Sequence, residues 1–247
     1  MERRGTSAYA AELVGTFMLV LFVVLVVAVY AGGGGSPDLV AIGLVHAFVL
    51  MMLVATLGGA SGAHFNPAVT IALCAVRKIA PVDAAIYILV QLAGAVIGVL
   101  VAKALLQNGS GDAVNFGAVG VSKTFLQGKG AAGFLGEFIG TFMLMWAIMG
   151  AAVNPTSDKA WAPFIIGATL GFIVMVLAPM TGGGFNPARA FGPALISGEF
   201  GPAGTFLLAY IVAPVLAAVA AALTYDALVL KDRVSLRPID KLGSPEA

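Results

Sequence analysis

A handful of polar residues stand where a lipid-soluble chain can least accommodate them, and they hold whatever chemistry the sequence can do. Asn66 lies in Ser61-Gly62-Ala63-His64-Phe65-Asn66-Pro67-Ala68-Val69, and Asn186 lies in Thr181-Gly182-Gly183-Gly184-Phe185-Asn186-Pro187-Ala188-Arg189. Each string is a Gly-rich loop, then Asn-Pro-Ala, then an apolar run of about half the length that crosses a bilayer. Asn caps free backbone N–H groups and Pro fits the first helical position, so each copy predicts a short helix that starts at membrane depth with Asn at its tip. A helix N-terminus carries about half a positive charge and unpaired N–H donors. Two such tips meeting at the midplane would repel cations and hydronium and let neutral polar molecules pass. The two amides would orient a water between them, making it a poor link in a proton wire. Arg189 adds a full charge at membrane depth, where a charge is costly and marks function. No nucleophile–base pair, metal cluster or phosphate loop is visible, and lone Cys74 reads as a small packed residue.

These tips need a scaffold, and the composition supplies one. The 247 residues are 60% hydrophobic and 10% charged, against about a quarter charged in a soluble domain. The net charge of +1 points to neither nucleic acid nor an acidic substrate. Six apolar stretches can span: near Tyr9–Tyr30, Leu39–Leu57, Val82–Leu105, Ala132–Val153, Ala162–Ala178 and Ala203–Leu230. The first is too long for a signal-peptide core and lacks an obvious cleavage site, so it reads as a retained span. The stretch Gln107 to Gly130 is the longest polar link. Asn154-Pro155 is followed by polar residues and reads as an ordinary turn, not a third half-helix.

The chain repeats. Ala11–Val20 (AELVGTFMLV) recurs as Gly136–Met145 (GEFIGTFMLM). Glu12 and Glu137 stand 125 residues apart, the two Asn-Pro-Ala strings 120, and Tyr87 and Tyr210 123. Three spans per half force the second half to enter from the opposite side, an inverted repeat whose functional site lies near the midplane. Arg3, Arg4, Arg77, Lys78, Lys159, Lys231, Arg233, Arg237 and Lys241 fall on one side, and Lys103, Lys123 and Lys129 on the other. That bias predicts both termini in the cytoplasm. The first Asn-Pro-Ala loop then dips in from the cytoplasm and the second from outside, helix tips head to head.

With the doubled Asn-Pro-Ala, the doubled Glu-x-x-Gly-Thr and the SGAHFNPAV string, the chain resembles the aquaporin, or major intrinsic protein, family over roughly Tyr9 to Leu230. The resemblance implies an all-α membrane protein of six tilted transmembrane helices plus two re-entrant half-helices, and a homotetramer with one pore per subunit. The whole chain, 1–247, is then one channel domain: repeats over about 9–106 and 131–230, a short N-terminus 1–8 and a polar tail 231–247. The pore centre falls to Asn66, Pro67, Ala68, Asn186, Pro187 and Ala188. Arg189 becomes the cation-repelling member of the outer constriction, with snorkelling to the surface as its alternative. Glu12 and Glu137 brace the re-entrant loops rather than relay protons. His64 becomes pore-lining, or else a packed or capping histidine, and Gly182 and Gly184 belong to the loop.

The family builds its constriction from four positions. Counting back from the asparagines gives His46, Val174 and Gly183 beside Arg189. Strict water pores in the family pair an aromatic on the second span with His on the fifth, and glycerol facilitators carry two large aromatics. His46 with Val174 most resembles the plant vacuolar-membrane subgroup. Facilitators also place Asp and a basic residue after the arginine, where Ala190 and Ala194 stand here, and Pro-Leu where Tyr210-Ile211 stands. The expectation is a passive, non-enzymatic channel for water, extended to ammonia and hydrogen peroxide, in the plasma membrane, without a cofactor. A glycerol or urea channel is the alternative, and an ion-coupled secondary transporter a more distant one. A weak Arg-x-x-Ser-like context makes Ser235 no more than a possible phosphorylation site.

Overall fold

A computed structural model describes residues 4–32 and 36–231. Arg3, Arg233, Arg237, Lys241, Ser235 and the tail from 232 onward lie outside the described residues. Six helices are long and apolar enough to cross a membrane, and no strand occurs among the described residues. The first half comprises α1 (Thr6–Ala31), α2 (Leu39–Ser61), the half-helix α3 (Pro67–Ala75) and α4 (Pro81–Leu105). A 3₁₀ strap (Asp112–Gly117) and the short α5 (Lys123–Leu126) occupy the polar link. The second half comprises α6 (Gly130–Ile148), α7 (Ala162–Thr181), the half-helix α8 (Pro187–Ser197), α9 (Ala203–Phe206) and α10 (Ala213–Tyr225).

The spans run further than hydropathy alone suggests. α2 continues past Leu57 to Ser61, and α7 past Ala178 to Thr181, because each is stopped by a glycine in the left-handed region, Gly62 (φ 92°) and Gly182 (φ 80°). Two spans widen into π turns. α6 runs into Met149–Val153, where the Asn154 N–H reaches back to the Met149 carbonyl ahead of Pro155. α9 joins α10 through Leu207–Val212, a turn that places Tyr210 just before Pro214, which has no N–H to continue an α-helical ladder. Asn154-Pro155 is a turn, with the Asn154 side chain accepting from Thr156 and donating to the Tyr225 hydroxyl.

The spans approach one another through glycine. α1 lies against α4, α2 against α7, and α6 against α10. A Cβ on Gly94 would sit 2.5 Å from the Leu13 carbonyl oxygen, and one on Gly98 2.7 Å from that of Phe17. Across the other seam, a Cβ on Gly167 would sit 2.5 Å from the Ala47 carbonyl oxygen and one on Gly43 2.8 Å from that of Gly171. Lipid tails are as apolar as the spans, so close backbone contact rather than hydrophobic burial holds them together. Large apolar residues such as Val29, Phe48, Leu89 and Val176 are left facing outward.

The half-helices tie the halves to each other. α3 packs on α10 and α8 on α4, so each lies against the last span of the opposite half, and their N-termini touch. The inverted repeat extends to single contacts. The Tyr87 hydroxyl donates to the Ser61 carbonyl at 2.8 Å, and the Tyr210 hydroxyl to the Thr181 carbonyl at 2.8 Å. The Phe65 ring fills the space beside Gly15, and the Phe185 ring the space beside Gly140.

Enlarging a seam glycine is expected to separate two spans. Gly94→Leu and Gly167→Leu should each cost about 3 kcal/mol or more, the upper end for overpacking, because the obstacle is backbone. Gly59, with nothing within 4 Å of its Cβ position, is the control: Gly59→Ala should be neutral or slightly stabilising. Thermal unfolding in detergent checks both, and equal melting of Gly94→Leu and the parent chain would refute the close-contact account.

Candidate functional site

Between each glycine cap and its Asn-Pro-Ala, the backbone leaves the helix at membrane depth. The two loops take the same path with different residues. Ala63 (φ 52°) matches Gly183 (φ 65°), and Phe65 (φ 47°) matches Phe185 (φ 47°). The backbone path therefore does not itself require glycine at 183, since Ala63 follows it too, whereas a Cβ on Gly184 would sit 2.8 Å from Glu137 Oε2 and 2.9 Å from the Tyr210 ring. Such a loop is tolerated in lipid only if protein or a wet cavity satisfies its polar groups. Two buried carboxylates do much of this. Glu12 accepts from the N–H groups of His64 (2.9 Å) and Phe65 (2.7 Å), from the Ser61 hydroxyl (2.7 Å) and from Gln91 Nε2 (2.8 Å). Glu137 accepts from the N–H groups of Gly184 (2.9 Å) and Phe185 (2.5 Å). Ser61 and Thr181 hydroxyls accept from the next loop N–H groups, those of Ala63 and Gly183.

The asparagines then cross. Asn66 Nδ2 donates to the Phe185 carbonyl at 2.9 Å, and Asn186 Nδ2 donates to the Phe65 carbonyl at 2.8 Å. Each Oδ1 caps its own helix: Asn66 accepts from Ala68 N–H at 2.9 Å, and Asn186 from Ala188 and Arg189 N–H at 3.0 and 3.3 Å. Pro67 and Pro187 open the two helices, and Ala68 and Ala188 are fully buried behind them. A carboxamide has two N–H groups and one oxygen. With the oxygen turned back onto its own helix and one N–H engaged, each asparagine has a single N–H left to donate to a guest.

Three cavities lie in series along the bundle. The middle one has about 40 Å³ open to water and is lined by Asn66, Asn186, His64, Phe65, Phe185, Gly183, Gly184, His46 and Arg189. That is room for roughly three waters at a time. A cavity of about 670 Å³ opens on one face and shares His46 and Arg189 with it; Val174 and Gly182 line this outer one. A cavity of about 700 Å³ on the amino-terminal face shares His64 with the middle one. His46 and Arg189 line both the outer and the middle cavity, Val174 only the outer and Gly183 only the middle, and His64 lines both the middle and the amino-terminal cavity.

Hydrogen bonding orients the charged and titratable groups here. His46 Nδ1 lies 2.8 Å from the Ile42 carbonyl, which can only accept, so Nδ1 holds the proton and neutral His46 has Nε2 as a lone pair. Thr70 donates to the Asn66 carbonyl and receives Gln91 Nε2, so its remaining lone pair accepts from His64 Nδ1 at 3.1 Å. His64 Nε2 is likewise the acceptor. Arg189 is 5% exposed; its Nη1 donates to the Gly117 carbonyl at 2.7 Å, and its Nε is buried without a partner. Gly117 ends a strap in which Asn115, Phe116 and Gly117 are all left-handed (φ 48°, 51° and 73°), anchored by buried Phe116 with Lys103 Nζ 5.5 Å from its ring centre.

The sequence assigns no role to Gln91, Thr70, Ser61 or Gly117, and marks Tyr87 only as a landmark of the repeat. Gln91 had a legible signal, a lone carboxamide amid the apolar α4. Gly117 had none, because what matters is the position of its backbone carbonyl. Truncating a brace leaves loop N–H groups buried and unpaired, at about 1–3 kcal/mol each. Glu137→Ala should therefore lower stability and yield markedly, Glu137→Gln less, since it keeps an accepting oxygen, and Glu12→Ala most, since four donors lose their partner. Thermal unfolding of the purified variants checks the order; an Ala variant as stable as the parent would contradict it.

Known proteins resemble this chain in sequence and in fold. The sequence model of the major intrinsic protein family matches residues 3–225. Aquaporin AqpM of Methanothermobacter marburgensis is 38% identical over 244 residues, covering 90% of this chain and 97% of its own. Glycerol uptake facilitator protein-like 6 of Lactiplantibacillus plantarum is 36% identical over 221 residues, covering 87% and 94%. The X-ray structure of the aquaglyceroporin from Plasmodium falciparum superposes with a TM-score of 0.79 at 22% identity, covering 93% of this chain and 98% of that one. Doubled half-helices, crossed asparagines and full-length similarity lead to one conclusion: this chain belongs to the major intrinsic protein family of membrane channels.

Proposed function

We propose that the protein is a passive water channel that also passes ammonia and hydrogen peroxide while excluding protons and ions. The crossed asparagine tips in the 40 Å³ middle cavity carry this reading. Each tip has one N–H to give, and both helix N-termini turn their positive ends inward. A water there accepts from both sides and cannot align as a proton relay. Arg189, buried beside the outer junction, repels cations before they reach the tips. Its guanidinium donates and the His46 Nε2 lone pair accepts, so a passing molecule must be able to do both. Water, ammonia and hydrogen peroxide can.

Val174 and Gly183 add no polar group and little bulk to the constriction, which supports a hole wider than a strict water filter. Ala190 and Ala194, where facilitators carry charge, are fully buried in an apolar cluster with Val119, Phe206 and Tyr210, so no carboxylate is held there. This weighs against glycerol. The second reading, a glycerol channel, draws on the similarity to a protein named as a glycerol uptake facilitator. The cation bias supports both termini in the cytoplasm of a plasma-membrane protein. The outward-facing apolar surface and the family support a homotetramer with one pore per subunit.

Stopped-flow shrinkage of proteoliposomes tests the reading. Water flux should be linear in the osmotic gradient, with a low activation energy and no dependence on a proton or sodium gradient, and glycerol flux should stay near that of empty vesicles. An internal pH dye should report rapid alkalinisation in an ammonium gradient; a rate equal to protein-free vesicles would remove ammonia from the substrates. The double change His46→Phe with Val174→His, which adds bulk on both sides of the constriction, should keep water flux and narrow the substrate range, suppressing ammonia flux about tenfold or more, equivalent to roughly 1.4 kcal/mol. Undiminished ammonia flux in that variant would count against the constriction assigned here.

A further inference from the structure

The cavity on the amino-terminal face differs from its counterpart in charge. Its wall carries Arg4, Lys78 and Lys159, and no carboxylate among the described lining residues. The three come from separate parts of the chain: the segment before α1, the turn after α3, and the 3₁₀ turn before α7. Glycines and small apolar residues (Gly58, Gly59, Gly62, Ala55, Ala152) make up much of the rest. Among the described residues lining the outer cavity, Arg189 is the one permanent charge. Lys159 is held in place, its Nζ donating to the carbonyls of Ala151 and Asn154 at the end of the fourth span. An ammonium has three N–H groups, so one is still available to a guest. The main-chain N–H of Arg4 is fixed on Asp83 at 3.1 Å, which places that residue at the rim.

We propose that this vestibule is a binding site for a phosphate-bearing polyanion, which seats over His64 and blocks the passage. Cations converging on a concave wall focus the potential and favour multivalent anions. Two or three charge-assisted contacts suit phosphate oxygens. With about 700 Å³ the vestibule accepts a diphosphate, whereas the middle cavity behind His64, at about 40 Å³, does not. The bound anion therefore stops at the junction and occludes it. A cationic face also orients the chain in the membrane, but orientation requires only charge near the span ends. It does not require that charge to line one cavity. Arg77, the neighbour of Lys78, has the same charge on the same face and is not among the lining residues. It separates the two accounts.

The proposal rests on the middle cavity being the conducting path, so flux without anion is measured first and reports on that reading alone. Water flux is then followed in phosphatidylcholine proteoliposomes with inorganic pyrophosphate on both sides, against chloride at matched ionic strength and osmolarity. A parallel set replaces pyrophosphate by phosphatidate in the bilayer. Saturable slowing in the first set identifies a soluble phosphate as the occupant, and slowing in the second alone a lipid headgroup. In either case Arg4→Gln with Lys78→Gln should keep anion-free flux and raise the half-inhibitory concentration by on the order of 100-fold, two charged contacts at about tenfold each. Arg77→Gln should leave inhibition as in the parent. Flux indifferent to both phosphates, or inhibition that survives the double change or falls equally with Arg77→Gln, overturns the site.

Discussion

Two stretches of non-helical backbone sit at the centre of an apolar bundle, and their polar groups must be satisfied without bulk solvent. The rest of the molecule can be derived from that constraint. Each loop is held from behind by a carboxylate and from the front by the asparagine of the other loop. Neither loop could hold this shape alone, because each takes one of its hydrogen-bond donors from its counterpart. The crossed amides therefore join the halves and line the middle cavity at once, and the packing of each half-helix on the opposite half's last span follows from the same interlock.

The two halves have diverged where their loops face different ends of the pore. Behind the first loop a polar network runs from Glu12 through Gln91 and Thr70 to His64. Behind the second, Pro214 stands 123 residues after Gln91 and Ala190 120 after Thr70, so the corresponding network is absent and the helix widens at Leu207–Val212 instead. The first half thus places a hydrogen-bonded histidine at one junction. The second places Arg189 at the other, held by a carbonyl from the strap between the halves. One backbone plan yields a neutral acceptor at one end and a fixed cation at the other.

Glycine has two separate duties in this chain. At Gly62 and Gly182 it ends a helix with positive φ. At Gly94, Gly98, Gly167 and Gly171 it clears space for a neighbouring backbone. The pairs 94/98 and 167/171 are four residues apart, a spacing that places both members on one helix face. The hydropathy that reveals a span says nothing of its neighbours, so the spacing alone does not identify the helix that each face meets.

The sequence alone determined the class of the protein. Six long apolar runs, two Asn-Pro-Ala strings behind glycine-bearing loops and a matched pair of glutamates each depend on local composition or fixed spacing. Such features survive without knowledge of contacts. Hydropathy ends these spans short of Ser61 and Thr181, since a polar last turn counts against a span yet is hydrogen-bonded in the fold. Tertiary structure decided what each polar atom does. Which N–H of Asn66 is engaged, which nitrogen of His46 bears the proton, and which carbonyl receives Arg189 all depend on partners 4 to 119 residues away. Residue type states how many hydrogen bonds a side chain can make; only the folded chain determines with whom, and so what remains for a passing molecule.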